Sequence, residues 1–172
     1  MLSEYLADDD FSRIFVLNGY AGTGKTTLIA ALVGALKALG IKPVLLAPTG
    51  RAAKVLSQYA SEPALTIHKR IYRERTNAEY ESRFSLGLNT ERGAIFIVDE
   101  ASMLADGEQA GALFGSGSLL DDLVRYVRSG RECRLVLVGD SAQLPPVGSD
   151  RSPALDVGTM GRYGDVVGAT MD

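Results

Sequence analysis

Residues 14–28 read IFVLNGYAGTGKTTL, and no other stretch constrains the fold as tightly. A short apolar run ends in a glycine-rich turn with G-x-x-x-x-G-K-[ST] spacing, and a helix-forming segment comes next. Glycines let the backbone curl until successive N–H groups point inward at an anion. The N-terminus of the next helix adds a partial positive charge. The turn therefore predicts a triphosphate cradle built from Gly19, Ala21, Gly22, Thr23, Gly24, Lys25, Thr26 and Thr27. Lys25 is expected to reach the β- and γ-phosphates. The Thr26 hydroxyl suits Mg²⁺, which keeps several waters and takes few protein oxygens. ATP and Mg²⁺ are the expected cofactors.

The rest of the chain repeats the strand–helix alternation. Residues 14–17, 44–47, 95–98 and 135–138 are short continuous apolar runs, as expected for parallel strands covered on both faces. Helical patterns occupy 26–39, closed by Gly40, then 51–59, and 119–127, closed by Gly130. Such alternation gives right-handed crossovers and a parallel sheet between helical layers. Residues 74–93 have room for a hairpin or an irregular excursion. Residues 105–118, ADGEQAGALFGSGS, read as a Gly-rich mobile loop, and 165–169 as a final strand.

Two further strand ends carry polar chemistry. Residues 94–100, AIFIVDE, end in adjacent carboxylates. Strand C-termini border the ligand crevice of a parallel sheet. There Asp99 would hold the metal, and Glu100 would orient and deprotonate an attacking water. The bland alternative is an N-cap followed by a solvated Glu. Residues 135–148, LVLVGDSAQLPPVG, end in Gly139-Asp140 with Gln143 three residues later. An amide that both donates and accepts can report on a γ-phosphate, although a surface Gln in an ordinary turn has the same spacing. Pro145 and Pro146 stiffen the adjoining segment.

Composition excludes several classes. A net charge of −3 and a pI near 5.2 argue against wrapping duplex DNA through a broad basic face, but allow a narrow single-strand track. The most basic stretch, Lys69, Arg70, Arg73 and Arg75, reads equally as a solvated helix face or a nucleic-acid contact. No apolar run approaches the roughly 18 residues needed to span a bilayer. The acidic N-terminus lacks signal-peptide order, and one cysteine rules out an intramolecular disulfide framework. The expectation is a cytoplasmic protein without a membrane partner.

Taken together, the segments resemble superfamily 1 DNA helicases of the RecD/Dda-like branch. GYAGTGKTT looks like motif I, LLAPTGRAAKVL (45–56) like motif Ia, and TIHK (66–69) like the short motif after it. IVDEASML (97–104) looks like motif II and VGDSAQLPPVG (138–148) like motif III. The order matches from about residue 14 to 150. The resemblance implies an α/β fold, a RecA-like P-loop NTPase three-layer sandwich with a central, mainly parallel sheet. It implies a motor that couples ATP hydrolysis to movement on single-stranded DNA. Lys25, Glu100 and Gln143 become the catalytic set, Thr26 and Asp99 the metal ligands, and Asp140 a further nucleotide-site residue. Pro48, Thr49, Gly50 and Arg51 become sequence-independent contacts to DNA phosphates, with His68 beside the track. Thr49 can equally serve as an N-cap, and a lone His can be structural. Tyr20, Tyr59 and Tyr72 could stack on bases or simply pack.

The resemblance also implies that residues 1–172 form one motor domain and that a second RecA-like domain completes the full-length chain. Arginines of that second domain would be needed for fast turnover, so the first domain alone should hydrolyse ATP weakly. Family members read adenine through a glutamine upstream of motif I, whereas residues 1–18 contain no Gln. Phe11 or the backbone beside it is the candidate cover for the base. No nuclease-like metal cluster is visible; exonuclease or recombination association would come from elsewhere in the system. Two other classes remain: a P-loop ATPase or phosphotransferase that does not act on DNA, and a non-catalytic module whose affinity for a partner depends on the bound nucleotide.

Overall fold

A computed structural model describes residues 1–76, 82–107, 113–143, 145–146 and 151–171. Its elements run α1 (Leu2–Ala7), β1 (Ile14–Gly19), α2 (Lys25–Ala38), β2 (Pro43–Ala47), α3 (Gly50–Ala60), β3 (Ala64–Thr66), α4 (Ile67–Ile71), β4 (Tyr72–Thr76), β5 (Ser82–Leu86), β6 (Ile95–Val98), α5 (Leu119–Ser129), β7 (Arg134–Gly139), α6 (Val157–Met160) and β8 (Val166–Met171). Six strands form one sheet in the order β3-β2-β6-β7-β1-β8. Every pairing within it is parallel. The four apolar runs are its centre, and the strand expected at 165–169 is the edge strand β8.

Alternation along the central strands explains the three layers. Ile14, Val16, Phe96, Val98, Leu135 and Leu137 face a core shared with Ile67 and Ile71 of α4 and Leu120, Leu123, Val124 and Val127 of α5. Phe15, Leu17, Ile95, Ile97, Val136 and Val138 face the other core, shared with Ile29, Leu32, Val33 and Leu36 of α2 and Leu56 of α3. Each such side chain withdrawn from water contributes about 1.5–3 kcal/mol. With both faces apolar, the strands read as unbroken hydrophobic runs. The helices stop where expected: Gly40, at φ +72°, closes α2, and Ser118 accepts from Asp121 N–H to start α5.

The excursion expected within 74–93 is an antiparallel hairpin, β4 with β5, in register from Tyr72↔Leu86 to Thr76↔Ser82. It begins two residues earlier than its sequence boundary because Tyr72 is anchored. The Tyr72 hydroxyl donates to the buried Asp122 carboxylate at 2.7 Å. Its ring packs on Phe114, which stacks on Phe84. At the described end of the stretch expected as a loop, the Leu113 carbonyl and the Gly115 N–H bond to the Phe84 backbone, joining that end to the hairpin. The rest of that expectation, at 108–112, lies outside the described residues. Among the described residues, no helix is long and apolar enough to cross a membrane.

The sheet's N-terminal rim is sealed by α1 and Arg134. The Arg134 guanidinium lies over the Phe11 ring at 4.5 Å and the Tyr5 ring at 5.4 Å, and donates to the carbonyls of Asp8 and Asp10. Phe11 thus stands before the start of β1, whereas the glycine turn lies beyond its end. Six strand residues separate them by about 20 Å, so Phe11 cannot cover a base held at that turn, which corrects the sequence expectation. Cys133, the sole cysteine, is buried at the same rim beside the Glu91 and Arg131 carbonyls. Burial raises its thiol pKa.

Tyr5 ties this rim together, donating to the carbonyl of Leu135 at 2.9 Å and to that of Arg13 at 3.2 Å. Burial lifts its phenol from 10 to about 12. The unfolded phenol ionises near 10, so this group's contribution is complete below pH 10 and is lost as pH rises through 12. Tyr5→Phe should cost about 1–2 kcal/mol in urea unfolding at pH 7 and flatten the decline of stability above pH 10. An unchanged alkaline profile in that variant would remove the assignment.

Candidate functional site

A parallel sheet sends every strand's C-terminal end to one rim, and the sequence places its polar segments there. β1 leads into the glycine turn, β6 into Asp99-Glu100, β7 into Asp140, and β2 into Pro48-Thr49. The ladders hold the ends level: Leu17 pairs with Val138, Val98 with Leu137, and Leu46 with Val98. Asp99 N–H extends the last of these by donating to the Leu46 carbonyl at 3.0 Å.

The glycine turn is closed on itself. Thr23 hydroxyl donates to the Tyr20 carbonyl at 2.8 Å, and Lys25 Nζ donates to the carbonyls of Tyr20, at 2.8 Å, and Gly19. The ammonium thus lies inside the loop that carries it. A Cβ on Gly19 would stand 2.8 Å from the Thr23 hydroxyl and 3.1 Å from Met171 Cβ, so a side chain there would displace the fold-back. Gly22 and Gly24 adopt φ of +83° and +89°, a region costly for other residues. Gly24 is the N-cap of α2 and no side chain caps the helix. The first-turn N–H groups of Lys25, Thr26 and Thr27 have no intrahelical partner. Ala21, Gly22, Gly24 and Thr27 are exposed, and Thr23, Lys25 and Thr26 half-buried.

Beside the turn, burial pushes the Asp99 carboxyl above its usual range, against a bond from the Glu100 N–H at 2.9 Å and the Lys25 ammonium. Glu100 is also raised, first by burial and then by Asp99, with Lys25 opposing and Asp140 adding to the rise. Glu100 therefore feels the charges of Asp99, Lys25 and Asp140, and Asp99 that of Lys25, across three loops. Glu100 takes φ +54°, a left-handed conformation uncommon outside glycine, as it opens the 3₁₀ turn Ala101–Met103. The N-cap position of that turn is Glu100, without a side-chain cap bond, rather than Asp99, where the bland alternative put it. Gly139 lets this turn approach, since a Cβ there would stand 3.0 Å from Ser102 N.

Asp140 is buried, with Oδ1 accepting from Ala142 N–H at 2.9 Å, while Gln143 N–H donates to the Asp140 carbonyl at 3.1 Å. Gln143 is exposed at the rim. Leu144 and residues 147–150 of the motif lie outside the described residues. Sequence reasoning passed over Asn18, whose side chain clasps Ser141 across the β1–β7 boundary: Oδ1 accepts from Ser141 N–H at 2.9 Å, and Nδ2 donates to Ser141 Oγ at 2.8 Å. The available signal was a lone amide ending an apolar strand.

The oxygens of Thr26 and Asp99 fit a hard divalent cation. A desolvated, mutually repelling carboxylate group is what such a cation would relieve. Among the described residues, no three His, Cys, Asp or Glu side chains form a metal cluster; Mg²⁺ does not need one.

The proposed track residues stand on the same rim but apart. Three strand spacings, about 14 Å, separate β2 from β1. Thr49, Gly50 and Arg51 are exposed, Pro48 half-buried, and Thr49 Oγ accepts from Ala52 N–H at 3.2 Å as the α3 N-cap. His68 packs half-buried, 5.0 Å from the Phe114 ring and 5.6 Å from Tyr72, and burial lowers its pKa. Tyr20 and Tyr59 are exposed, while Tyr72 is buried and bonded. Within the basic stretch, Arg70 is held by Glu91, which also holds Lys42, so that part of the patch is structural.

A family model described as an AAA domain matches residues 5–155. An uncharacterized protein of Methanocaldococcus jannaschii is 36% identical over 157 residues, covering 85% of this chain and 12% of that protein. The ATP-dependent RecD2 DNA helicase of Deinococcus radiodurans is 33% identical over 135 residues, covering 78% of this chain and 16% of that helicase. The chain thus spans under a fifth of these curated relatives. Among solved structures, Bacteroides Pif1 bound to ssDNA superposes with a TM-score of 0.54 at 22% identity, covering 98% of this chain and 41% of that one, a likeness of fold.

Glu100 combines left-handed backbone with a crowded, desolvated charge. Glu100→Asn suits that backbone and removes the charge, so it should raise unfolding free energy by about 1 kcal/mol. Chemical denaturation reads this directly, and a loss of stability would contradict the strain described.

Proposed function

The chain belongs to the AAA domain family, as a RecA-like domain of the superfamily 1 helicase type, and we propose that it is the ATP-hydrolysing first motor domain of an ATP-dependent DNA helicase. The observation that carries this reading is the electrostatic convergence of Lys25, Asp99, Glu100 and Asp140 at one sheet rim. A phosphate-binding turn alone fits many activities. A desolvated carboxylate beside it, with raised proton affinity, fits water activation.

In the proposed reaction ATP lies along the glycine turn, its phosphates on the first-turn N–H groups of α2. Lys25 donates to β- and γ-phosphate oxygens. The Thr26 hydroxyl and Asp99 would hold Mg²⁺, which would supply charge neutralisation at the triphosphate. Glu100 orients a water in line with the γ-phosphorus and accepts its proton as the new P–O bond forms. The bond from the γ-phosphorus to the bridging oxygen breaks, and ADP departs with that electron pair. Gln143 and Asp140 register whether the γ-phosphate is attached.

Motion would arise when a second RecA-like domain closes on this one, residues 1–172 acting as one unit. Single-stranded DNA is the proposed track, held through phosphates by Pro48, Thr49, Gly50 and Arg51. Thr49 can cap α3 and still donate its hydroxyl proton, so the two roles are compatible. His68, in an aromatic cluster behind this rim, is proposed to shape the track. The cytoplasm is the proposed compartment.

Glu100→Gln should bind ATP with near wild-type affinity while kcat falls about 10²–10⁴-fold, measured in the intact protein with and without single-stranded DNA. Wild-type hydrolysis should rise with DNA. Hydrolysis indifferent to DNA would move the reading to an ATPase or phosphotransferase with another substrate, and full activity in Glu100→Gln would remove the mechanism.

A further inference from the structure

The Asn18–Ser141 clasp joins two loops that are 123 positions apart in sequence. Asn18 is the last β1 residue before Gly19 and pairs in register with Gly139, the last residue of β7. Beyond that pair the ladder has ended, and the two backbones diverge into the glycine turn and the Asp140 turn. The only described hydrogen bonds between the diverging segments are the two Asn18 makes to Ser141. One amide satisfies both polar groups of one serine, so the turn is fixed in rotation as well as in position. Among the described residues, the turn's other hydrogen bonds are its own, Ala142 N–H on the Asp140 carboxylate and Gln143 N–H on the Asp140 carbonyl. A continuous chain of contacts therefore runs from Gly19 through Asn18, Ser141 and Asp140 to Gln143.

We infer that Asn18 is a positioning residue that sets the height of the Gln143 turn above the phosphate loop, and so determines how well the site distinguishes a triphosphate from a diphosphate. This rests on the proposed reading of the site and adds a residue to it. Asn18 touches no phosphate in this role. It acts through Ser141, by fixing the turn that carries Gln143. Asn suits the position because Leu has the same outline but neither donor nor acceptor. Ala at 141 keeps the N–H bond and loses only the hydroxyl bond.

The test compares wild type, Asn18→Leu, Ser141→Ala, Ser141→Thr and Glu100→Gln in the intact protein. It measures kcat and KM for ATP and affinities for ADP and a non-hydrolysable ATP analogue. Asn18→Leu should lower kcat and raise KM for ATP, each severalfold, and shrink the preference for the ATP analogue over ADP about tenfold while ADP affinity stays near wild type. Ser141→Ala, at an exposed position where folding is not at risk, should show about a threefold version. Ser141→Thr, which keeps the hydroxyl, should restore wild-type behaviour. Equal losses of ATP-analogue and ADP affinity, or a wild-type kcat in Asn18→Leu, would overturn the positioning role while a dead Glu100→Gln left the hydrolytic reading standing. Wild-type protein without hydrolysis, or Glu100→Gln with full hydrolysis, would overturn the hydrolytic reading itself and this role with it.

Discussion

Parallel hydrogen bonding among β2, β6, β7 and β1 is the constraint on which the site depends. In an antiparallel sheet, successive strand ends alternate between rims. Here the strands advance together, so residues that are about 80 and 120 positions from the glycine turn arrive beside it. The pairings Leu17↔Val138 and Val98↔Leu137 do more than build a core. A shift of one residue in either ladder would move an acid by about 3.3 Å along the strand and turn its side chain to the opposite face. The buried alternation of the strands forbids that shift, because every core side chain would turn with it.

That arrangement concentrates unfavourable charge. Asp99 and Glu100 are adjacent and raised chiefly by burial, Asp140 adds to the rise at Glu100, and one ammonium, Lys25, opposes it. Left-handed backbone at Glu100 adds to the cost. Such a site is held together by the rest of the fold, through the two apolar cores and the Tyr5–Arg134 seal at the far rim. The tension is useful, since a group that is poorly solvated and repelled by neighbours gains most when a cation and a proton arrive.

Much of this was legible in the sequence. The four central strands, α2, α3 and α5 fell within a few residues of their expected bounds, because uninterrupted apolar runs and Ala/Leu-rich segments have few other ways to fold. The rim assignment of Lys25, Asp99 and Asp140 came from strand direction. β3 was not legible: Ala64–Thr66 is three half-buried residues at an edge, too short to leave a pattern. The hairpin's anchor was hidden too, since the Tyr72–Asp122 bond joins residues fifty apart. Asn18–Ser141 escaped for the same reason. A lone polar residue at a strand end has many uses, and only tertiary geometry selects one. Phe11 was chosen because the family's adenine reader lies upstream of the glycine turn, yet a whole strand separates the two in space.

Cys133 has a practical consequence. It is the chain's sole thiol, shut away at the far rim with its ionisation suppressed, so maleimides and similar electrophiles should ignore it while the sheet is intact. A cysteine introduced at an exposed helix position such as Tyr59 can then carry a fluorophore alone, without first stripping the native residue from the core. The buried sulfur itself becomes an internal clock, modified only as fast as the rim before β6 and β7 opens.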